Sequence, residues 1–225
     1  MATSGTATFD MDLVEVGEEA FERAGREMRS GYDLRTMRRS LNLLFADWAN
    51  RGVNLWTLEQ GSTALVNGTA SYTLPADTVD IVEHVIRDGT GVNQADMSIT
   101  RLPVSTYAAL TNKNVTGRPV QIYVDRQRDA PVVYLWPVPS GSSYTLVYWR
   151  MRRIEDAGNG SNTMDVPFRF LNALVAGLAY YIALKLPEGQ ERLPGLKAMY
   201  DEAWMQASTE DRDRSSVFLT PRVSM

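Results

Sequence analysis

The side chains that could carry out acid–base or metal chemistry are few in this sequence. His84 is the only histidine and the chain has no cysteine, which excludes thiol catalysis, disulfides and thiolate metal sites together. His84 lies in the apolar run 81–86, where alternation places it on one face with Val82 and Ile86. In such a strand a hydrogen-bonded structural histidine is favoured over a general base or a metal ligand.

The segment 156–165 is rich in Asp, Asn and Gly, yet it does not have the alternating ligands and terminal Glu of an EF-hand loop. Glycine-rich phosphate loops and nucleophile elbows are also absent from the sequence. A pair of carboxylates could hydrolyse a glycosidic bond without leaving a local signature, so that alternative stays open. We therefore predict no catalytic site, no metal site and no cofactor.

Arginine clustering is the one charge pattern that stands out. Arg35, Arg38 and Arg39 recur at helical spacing, and further arginines precede them at positions 23, 26 and 29. Two interpretations are open: a solvated face balanced by neighbouring glutamates, or an interface that pairs with acidic groups of another copy. The glutamates at positions 15, 18, 19 and 22 would be the acidic complement in that second case.

Composition limits the classes of partner. The chain has 23 Lys plus Arg against 27 Asp plus Glu, a net charge of -4 and 44% hydrophobic residues. A weakly acidic protein has little sequence-independent attraction to nucleic acid or to anionic membranes. The N-terminus does not have the pattern of a signal peptide, and the absence of cysteine fits folding in a reducing compartment.

The elements that position these residues are organised around the segment 165–186. Apolar residues at helical spacing form one face, and small residues form a second face. We expect Asp165 to be the N-cap and Pro167 to lie in the first turn, with Pro187 ending the helix. A membrane span is the alternative for so apolar a run, but Arg169 and Lys185 favour a buried helix.

Three further helices are predicted. The first runs from Asp12 to near Gly25, with Asp12 and Glu15 forming a capping box. Asp33 is the predicted N-cap of the second, which ends at Arg51 and Gly52. The last covers 194–211, with the predicted buried face Leu196, Met199, Tyr200, Ala203, Trp204 and Ala207.

Between the helical parts the hydrophobic period changes to two. Asn67-Gly68 predicts a tight hairpin between 63–66 and 70–74. Strands are expected at 79–87, 97–102 and 120–124, with a short helix at 103–110. The segments 132–136 and 144–151 are predicted to form a long hairpin. Tyr148 and Trp149 lie on opposite faces of its second strand, so that strand is either central in a sandwich or part of a subunit contact.

These elements predict an α+β fold in which N-terminal and C-terminal helices form a bundle with an inserted antiparallel β lobe. The expected divisions are N-terminal helices at 1–54, the β lobe at 55–162, C-terminal helices packing on the N-terminal ones at 163–211, and an extended tail at 212–225.

The stretch 9–56 resembles the head-to-tail connector, or adaptor, proteins of tailed bacteriophages. The resemblance rests on an acidic start followed by Gly31-Tyr-Asp-Leu-Arg-Thr-Met-Arg-Arg-Ser-Leu-Asn-Leu-Leu-Phe-Ala-Asp-Trp-Ala-Asn-Arg-Gly-Val-Asn-Leu-Trp56. Tyr72-Thr-Leu-Pro75 and the late helix after Asp165-Val-Pro167 also fit, in the same order along the chain.

The resemblance implies a non-enzymatic virion protein, made in the host cytoplasm and placed at the head-tail junction without membrane contact. Such proteins form a ring, commonly a dodecamer, below the portal, extend the DNA channel and dock the tail tube or nozzle. Double-stranded DNA would pass without sequence-specific binding. Arg35, Arg38, Arg39, Tyr148 and Trp149 are then candidates for the subunit interface. Val217, Phe218 and Leu219 would be an apolar anchor for portal docking.

The alternatives to the adaptor belong to other classes. One is a carboxylate-based cell-wall hydrolase. Another is a different virion component, either a tail-completion protein or a carbohydrate-binding β module. Turnover of peptidoglycan that is lost in single Asp or Glu variants would support the hydrolase, and binding to portal rings would distinguish the adaptor from the other virion components.

Overall fold

The computed structural model of the protein describes residues 3–52, 55–158 and 162–212. Within them the chain is α+β, with five α-helices and three sheets, which confirms the predicted α+β class. It divides into two compact units, one made of Met1–Leu55 and Glu155–Met225 and the other of Trp56–Ile154. Among the helices of the described ranges, none combines the length and apolar character that a membrane span requires.

The helices differ in unit and in length. α3 belongs to the second unit and the other four to the first. In chain order they are α1 (Leu13–Ala24), α2 (Gly31–Asn50), α3 (Val104–Ala108), α4 (Leu171–Ala183) and α5 (Leu193–Glu210).

Local capping signals fix the start of the first two helices. Asp12 and Glu15 form the predicted capping box of α1, and Gly25 ends that helix in the left-handed conformation with φ of 97°. The predicted N-cap of α2 is wrong by three residues. Ser30 is the N-cap, and Asp33 completes a capping box from the third helical position, because each side chain accepts a hydrogen bond from the other's backbone N–H.

α4 lies at the centre of the first unit and packs against α1, α2 and α5. Its buried residues cover nearly its whole circumference, as the two apolar faces in the sequence predict. The helix begins later than expected, because residues Phe168–Phe170 form a 3-10 turn that starts after Pro167. Asp165 is therefore not its N-cap, and its carboxylate instead accepts a hydrogen bond from the backbone N–H of Glu155.

Aromatic residues from three elements form the core between α2 and α5. Trp48 is fully buried, with ring centroids 4.8 Å from Trp204 and 5.7 Å from Phe170. Its indole N–H donates to the hydroxyl of Tyr200 at 2.9 Å. The prediction that Met199 belongs to the buried face of α5 is wrong, since 52% of its surface is exposed.

The second unit contains two four-stranded sheets. One has the order β1-β10-β3-β4, the other has the order β2-β8-β7-β5, and β6 pairs with β9. Their bounds are β1 (Leu58–Ala64), β2 (Ser71–Thr73), β3 (Thr78–Asp88), β4 (Ala95–Ser98), β5 (Thr100–Leu102), β6 (Thr116–Gly117), β7 (Gln121–Asp125), β8 (Val132–Trp136), β9 (Val138–Pro139) and β10 (Tyr144–Arg152).

Both predicted hairpins are wrong. Strands exist near 70–74, 132–136 and 144–151, whereas the strand predicted at 63–66 is the end of the earlier strand β1. Asn67-Gly68 does form a turn, with Gly68 at a φ of 78°, but it leads the chain from β1 in one sheet to β2 in the other. Likewise β8 pairs with β7 and β2, whereas β10 pairs with β1 and β3. The loop between β8 and β10 is long enough to change sheets, so strands that are neighbours in sequence are not neighbours in space.

The β section is also not wholly antiparallel. β5 pairs with β7, and β6 with β9, in parallel. The connection from β5 to β7 contains α3, and a crossover of this kind allows parallel pairing where a tight turn does not. The single strand predicted at 97–102 is two strands, β4 and β5, that belong to different sheets.

Candidate interaction surfaces

The predicted basic stripe lies on one face of α2. Arg35, Arg38 and Arg39 line a groove of about 480 Å³ together with Tyr32 and Asn42. The groove residues at positions 32, 35, 39 and 42 are spaced three or four apart, as residues on one face of a helix are. This spacing can be recognised in the sequence. Two residues of this surface, Asn42 and the 64% exposed Tyr32, were not among the predicted interface residues.

The arginines that precede the stripe are electrically balanced. Arg23 pairs with Glu19 at 2.8 Å, and Arg29 with Glu27 at the same distance. Arg26 pairs with the buried carboxylate of Asp33 at 3.0 Å. Balance by neighbouring carboxylates, one of the two open interpretations, therefore holds for these three residues.

The stripe itself is not balanced in this way. Among the residues that the structure describes, Arg35, Arg38 and Arg39 form no salt bridge with a carboxylate. Arg38 donates from Nη2 to the carbonyl oxygen of Ala157 at 3.3 Å, and Arg39 makes only a long contact of 3.5 Å with the hydroxyl of Thr36. The groove thus presents guanidinium groups that have no anionic partner among the residues described by the structure.

Arg38 and Asn42 also have a structural task. The side-chain oxygen of Asn42 accepts a hydrogen bond from the backbone N–H of Ala157 at 2.9 Å, while Arg38 binds the carbonyl oxygen of the same residue. Ala157 is buried, so these contacts satisfy a peptide that is shielded from water. Arg35 and Arg39 have no comparable role and are the members best suited to an external partner.

A fourth cation lies close to this surface. Lys185 donates to the hydroxyl of Ser40 at 2.7 Å, and burial together with the positive charge of Arg39 lowers the pKa of its ammonium group. The positive charges of Lys185 and Arg39 repel each other, and an anion that binds near both would relieve this repulsion. The electrostatics of the surface therefore favour a carboxylate or another anionic group.

The glutamates of α1, like the arginines, include residues with partners inside the chain and residues without one among the described residues. Glu15 is used in the capping box and Glu19 in the ion pair with Arg23. Glu18 and Glu22 are exposed and have no side-chain hydrogen bond or ion pair within the described residues. They are four residues apart on one helix face, where like charges destabilise the helix by a few tenths of a kcal/mol, roughly 0.2–0.5.

The structure separates the two aromatic residues proposed for the interface. Trp149 is half-buried, whereas Tyr148 is only 3% exposed and belongs to the core of the second unit. The ring of Tyr148 lies over Gly61, where an added Cβ would come within 2.5 Å of it. Tyr148 therefore offers no side-chain surface to another subunit. Val217, Phe218 and Leu219 lie outside the described residues.

The single histidine has no catalytic surroundings. His84 is half-buried in β3, opposite Tyr148 of β10, and neither ring nitrogen forms a hydrogen bond of ordinary geometry with the described residues. The hydrogen bond expected for it is present only as a weaker interaction with the backbone of Ile99. Burial, then the positive charge of Arg101, lowers its pKa, which keeps the ring neutral near pH 7.

The carboxyl groups with shifted pKa values all shift downward. Arg150 lowers the pKa of Asp77 by hydrogen bonding, and Arg87 lowers that of Asp96 in the same way. A proton-donating carboxylic acid requires a raised pKa. No group of three or more His, Asp or Glu residues arranged to hold a metal ion occurs in the described part of the chain.

A family model described as SU10 adaptor protein matches residues 15–223, a range that begins within α1 and includes the whole of the α2 stripe. No individual curated protein matches the chain.

Proposed function

The chain belongs to the SU10 adaptor protein family, a family of phage head-tail adaptors, and we infer from this that it forms a ring below the portal. In that position it would extend the DNA channel and dock the tail tube or nozzle. The coarser conclusion, that the protein is a structural component of a phage virion, follows from the family alone. The resemblance to connector proteins implies that the ring is a dodecamer.

The observation that carries the ring is the separation of unpaired charges onto two different helices. Arg35 and Arg39 on α2 have no carboxylate partner, and Glu18 and Glu22 on α1 have no cationic partner, within the described residues. Two unlike surfaces on one chain can join head to tail, and a head-to-tail contact repeated around an axis closes a ring. We therefore assign the α2 stripe to the acidic face of α1 in the neighbouring copy.

Partners at the two ends of the ring follow from the same function. The portal would be bound by the tail 212–225, with Val217, Phe218 and Leu219 as the apolar anchor that orders on docking. The opposite end would meet the tail tube or nozzle. Double-stranded DNA would pass through without being held, because the chain carries a net charge of -4 and a strongly basic wall would retain it.

A charge-reversal experiment tests the ring contact. The double variant Arg35→Glu with Arg39→Glu should stay folded, since both side chains are exposed, but should fail to assemble on purified portal rings. Adding Glu18→Arg and Glu22→Arg should restore assembly by exchanging the two charges across the contact. Arg29→Glu, which alters an arginine already paired with Glu27, is the matched control and should assemble normally.

Assembly would be measured by sedimentation and electron microscopy of the protein alone and mixed with its portal. Wild-type protein that stays monomeric and does not bind the portal would contradict the adaptor function itself. If only a variant without residues 212–225 stopped binding, the tail would be the docking element. Assembly of the double Glu variant at the wild-type level would show that the α2 stripe is not a subunit contact.

The alternatives gain no specific support. A carboxylate-based hydrolase would need a carboxyl group held protonated, whereas the pKa values of Asp33, Asp77 and Asp96 are lowered. Neither a tail-completion role nor carbohydrate binding is favoured by any particular contact. Failure of the wild-type protein to bind the portal would favour testing the tail-completion and carbohydrate-binding alternatives.

A further inference from the structure

The first sheet of the second unit has one long edge without a partner. β1 lies at the end of the order β1-β10-β3-β4 and pairs along its whole length with β10 alone. It covers seven residues, which makes it the longest edge strand of the described sheets. Most of it is exposed, including Glu59, Gln60, Ser62 and Ala64.

The backbone of β1 has hydrogen-bonding groups that point away from the sheet. Leu65 donates its N–H to the carbonyl oxygen of Tyr144 at 2.8 Å, which fixes the alternation of the antiparallel pair. The backbone groups of Thr63, Gly61 and Glu59 then form hydrogen bonds with β10. The residues between them, Gln60, Ser62 and Ala64, direct N–H and C=O outward, and none has a backbone partner among the described residues.

β1 has none of the usual protections of an edge strand. Proteins block such edges with lysine, proline, a bulge or an inward-pointing charge, and β1 contains neither Lys nor Pro. Its one charged residue, Glu59, is already bound by Arg150 of β10 at 2.7 Å. The register between β1 and β10 runs without a shift, so the edge is also regular.

The opposite edge of the same sheet is complementary to β1. β4 lies there and pairs only with β3, and its acidic residue Asp96 is bound by Arg87 at 2.7 Å. Both edges can therefore approach each other without like-charge repulsion. All three pairings in this sheet are antiparallel, so β1 and β4 run in opposite directions.

Because β1 and β4 run in opposite directions, a ring can form only certain contacts between neighbouring sheets. Copies related by rotation about a common axis keep their strand direction along that axis. β4 of one copy would then lie antiparallel to β1 of the next, which continues the alternation of the sheet and is the stronger type of pairing. A β1–β1 contact between two copies would instead close a dimer and leave β4 open.

We propose that β1 of each subunit pairs with β4 of its neighbour, so that the first sheet of the β unit continues from copy to copy around the assembly. The proposal rests on the ring inferred above and names its contact in the β unit. The partner is a second copy of this chain. Strand addition of this kind takes its affinity from main-chain hydrogen bonds, and the outward groups of β1 can supply them.

A proline substitution tests the outward backbone groups. Ser62→Pro removes one outward N–H and leaves the bonds from β1 to β10 in place, so we expect the circular dichroism of the monomer to be unchanged. Assembly on portal rings should weaken by about tenfold or more, which corresponds to roughly 1.4 kcal/mol per subunit contact. Ser62→Thr keeps the N–H and is the matched control that should assemble normally.

Disulfide cross-linking tests the identity of the two strands without relying on the proline variant. The chain has no cysteine, so introduced pairs have no background. Ser62 shares one face of the sheet with Ser98, through the cross-strand row of Val147 and Val85, and with Asp96 two residues before Ser98. Ser62→Cys is therefore combined in turn with Asp96→Cys and Ser98→Cys, and the assembled particles are oxidised. One of these pairs should give a ladder of cross-linked subunits on a non-reducing gel, while Ser62→Cys alone should give none.

The outcomes separate this contact from the proposed function. Wild-type rings on the portal combined with no ladder from any pair, or with full assembly of Ser62→Pro, would overturn the β1–β4 contact and leave the adaptor function intact. Dimers formed by Ser62→Cys alone would also overturn it, in favour of β1–β1 pairing. Wild-type protein that never assembles on the portal would instead contradict the ring on which the proposal rests.

Discussion

Asp33 illustrates how much a single buried carboxylate does in this protein. It accepts hydrogen bonds from the backbone N–H groups of Arg29 and Ser30 at 3.1 and 3.2 Å, and from Nη2 of Arg26 at 3.0 Å. Burial alone would raise the pKa of this group, but the hydrogen bonds and the charge of Arg26 outweigh it, so the pKa is lowered. The residue thus joins the end of α1 to the start of α2.

This arrangement makes the stability of the helical unit depend on pH. A carboxyl whose folded-state pKa lies below its unfolded value of about 3.8 stabilises the fold above that value, and the contribution is lost as the pH falls through the folded pKa. Asp33→Asn should lower the free energy of unfolding by about 1 kcal/mol at pH 7, the usual cost of a lost helix cap.

Urea denaturation at pH 7 and pH 3 is the measurement. The difference between the wild type and Asp33→Asn should shrink at pH 3, because this pH lies below the unfolded-state pKa of about 3.8 and the contribution of the carboxylate falls as the pH approaches its lower folded-state pKa. Asp129→Asn is the control, since Asp129 is 97% exposed and its change should have no measurable effect at either pH. An equal loss at both pH values would show that Asp33 acts through its shape and not through its charge.

At the scale of elements, the small face of α4 sets how closely the helices of the first unit approach. Gly177 is buried between α2 and α5, and a Cβ added there would lie 2.8 Å from the ring of Tyr200 and 3.0 Å from a methyl group of Leu44. The Tyr200 ring is held in place by its hydrogen bond from Trp48, so it cannot move aside easily. The packing of three helices therefore requires glycine at this position.

Gly177→Ala should destabilise the protein by about 1 to 2 kcal/mol, because the cost of overpacking exceeds the helix-propensity gain of alanine. Gly195→Ala in α5 is the matched control. Nothing lies within 4 Å of a Cβ added at Gly195, so that change should stabilise the fold by up to about 1 kcal/mol. Thermal denaturation of both variants gives the comparison, and equal effects of the same sign would contradict the packing argument.

At the scale of the whole molecule, the two units differ in how the chain builds them. The second unit is one continuous segment, Trp56–Ile154, with its own buried cluster that includes Ile86, Ile122 and Leu146. The first unit combines two distant segments, because α4 packs on α1 and α2 from the N-terminal segment as well as on α5. Each unit has a core that its own residues complete.

A fragment of residues 56–154 should therefore fold by itself and unfold in one cooperative transition. A fragment of residues 1–55 should not, since α1 and α2 would have no α4 to cover their apolar faces. Circular dichroism and proton–nitrogen correlation spectra of the two fragments test this. Dispersed spectra for 1–55, or a disordered 56–154, would contradict the division into two units.

Sequence alone was sufficient where the physics is local. The capping box of α1, its end near Gly25 and the end of α2 depend on residues within one or two turns, and the apolar spacing of α4 depends only on helical geometry. The identity of the basic stripe was accessible for the same reason, since Arg35, Arg38 and Arg39 lie on adjacent turns. Their types and spacing are properties of the sequence.

Only the tertiary structure decided which groups pair. The strands near 71–73, 132–136 and 144–152 were expected from the sequence, and the strand predicted at 63–66 overlaps the end of β1. Their partners lie far away in sequence, and both hairpin predictions failed for that reason. Tyr148 was indistinguishable from Trp149 until β10 was placed between β1 and β3. Likewise, Arg26 reaches the carboxylate of Asp33 across the junction of α1 and α2, whereas Arg35 and Arg39 have no carboxylate partner among the described residues.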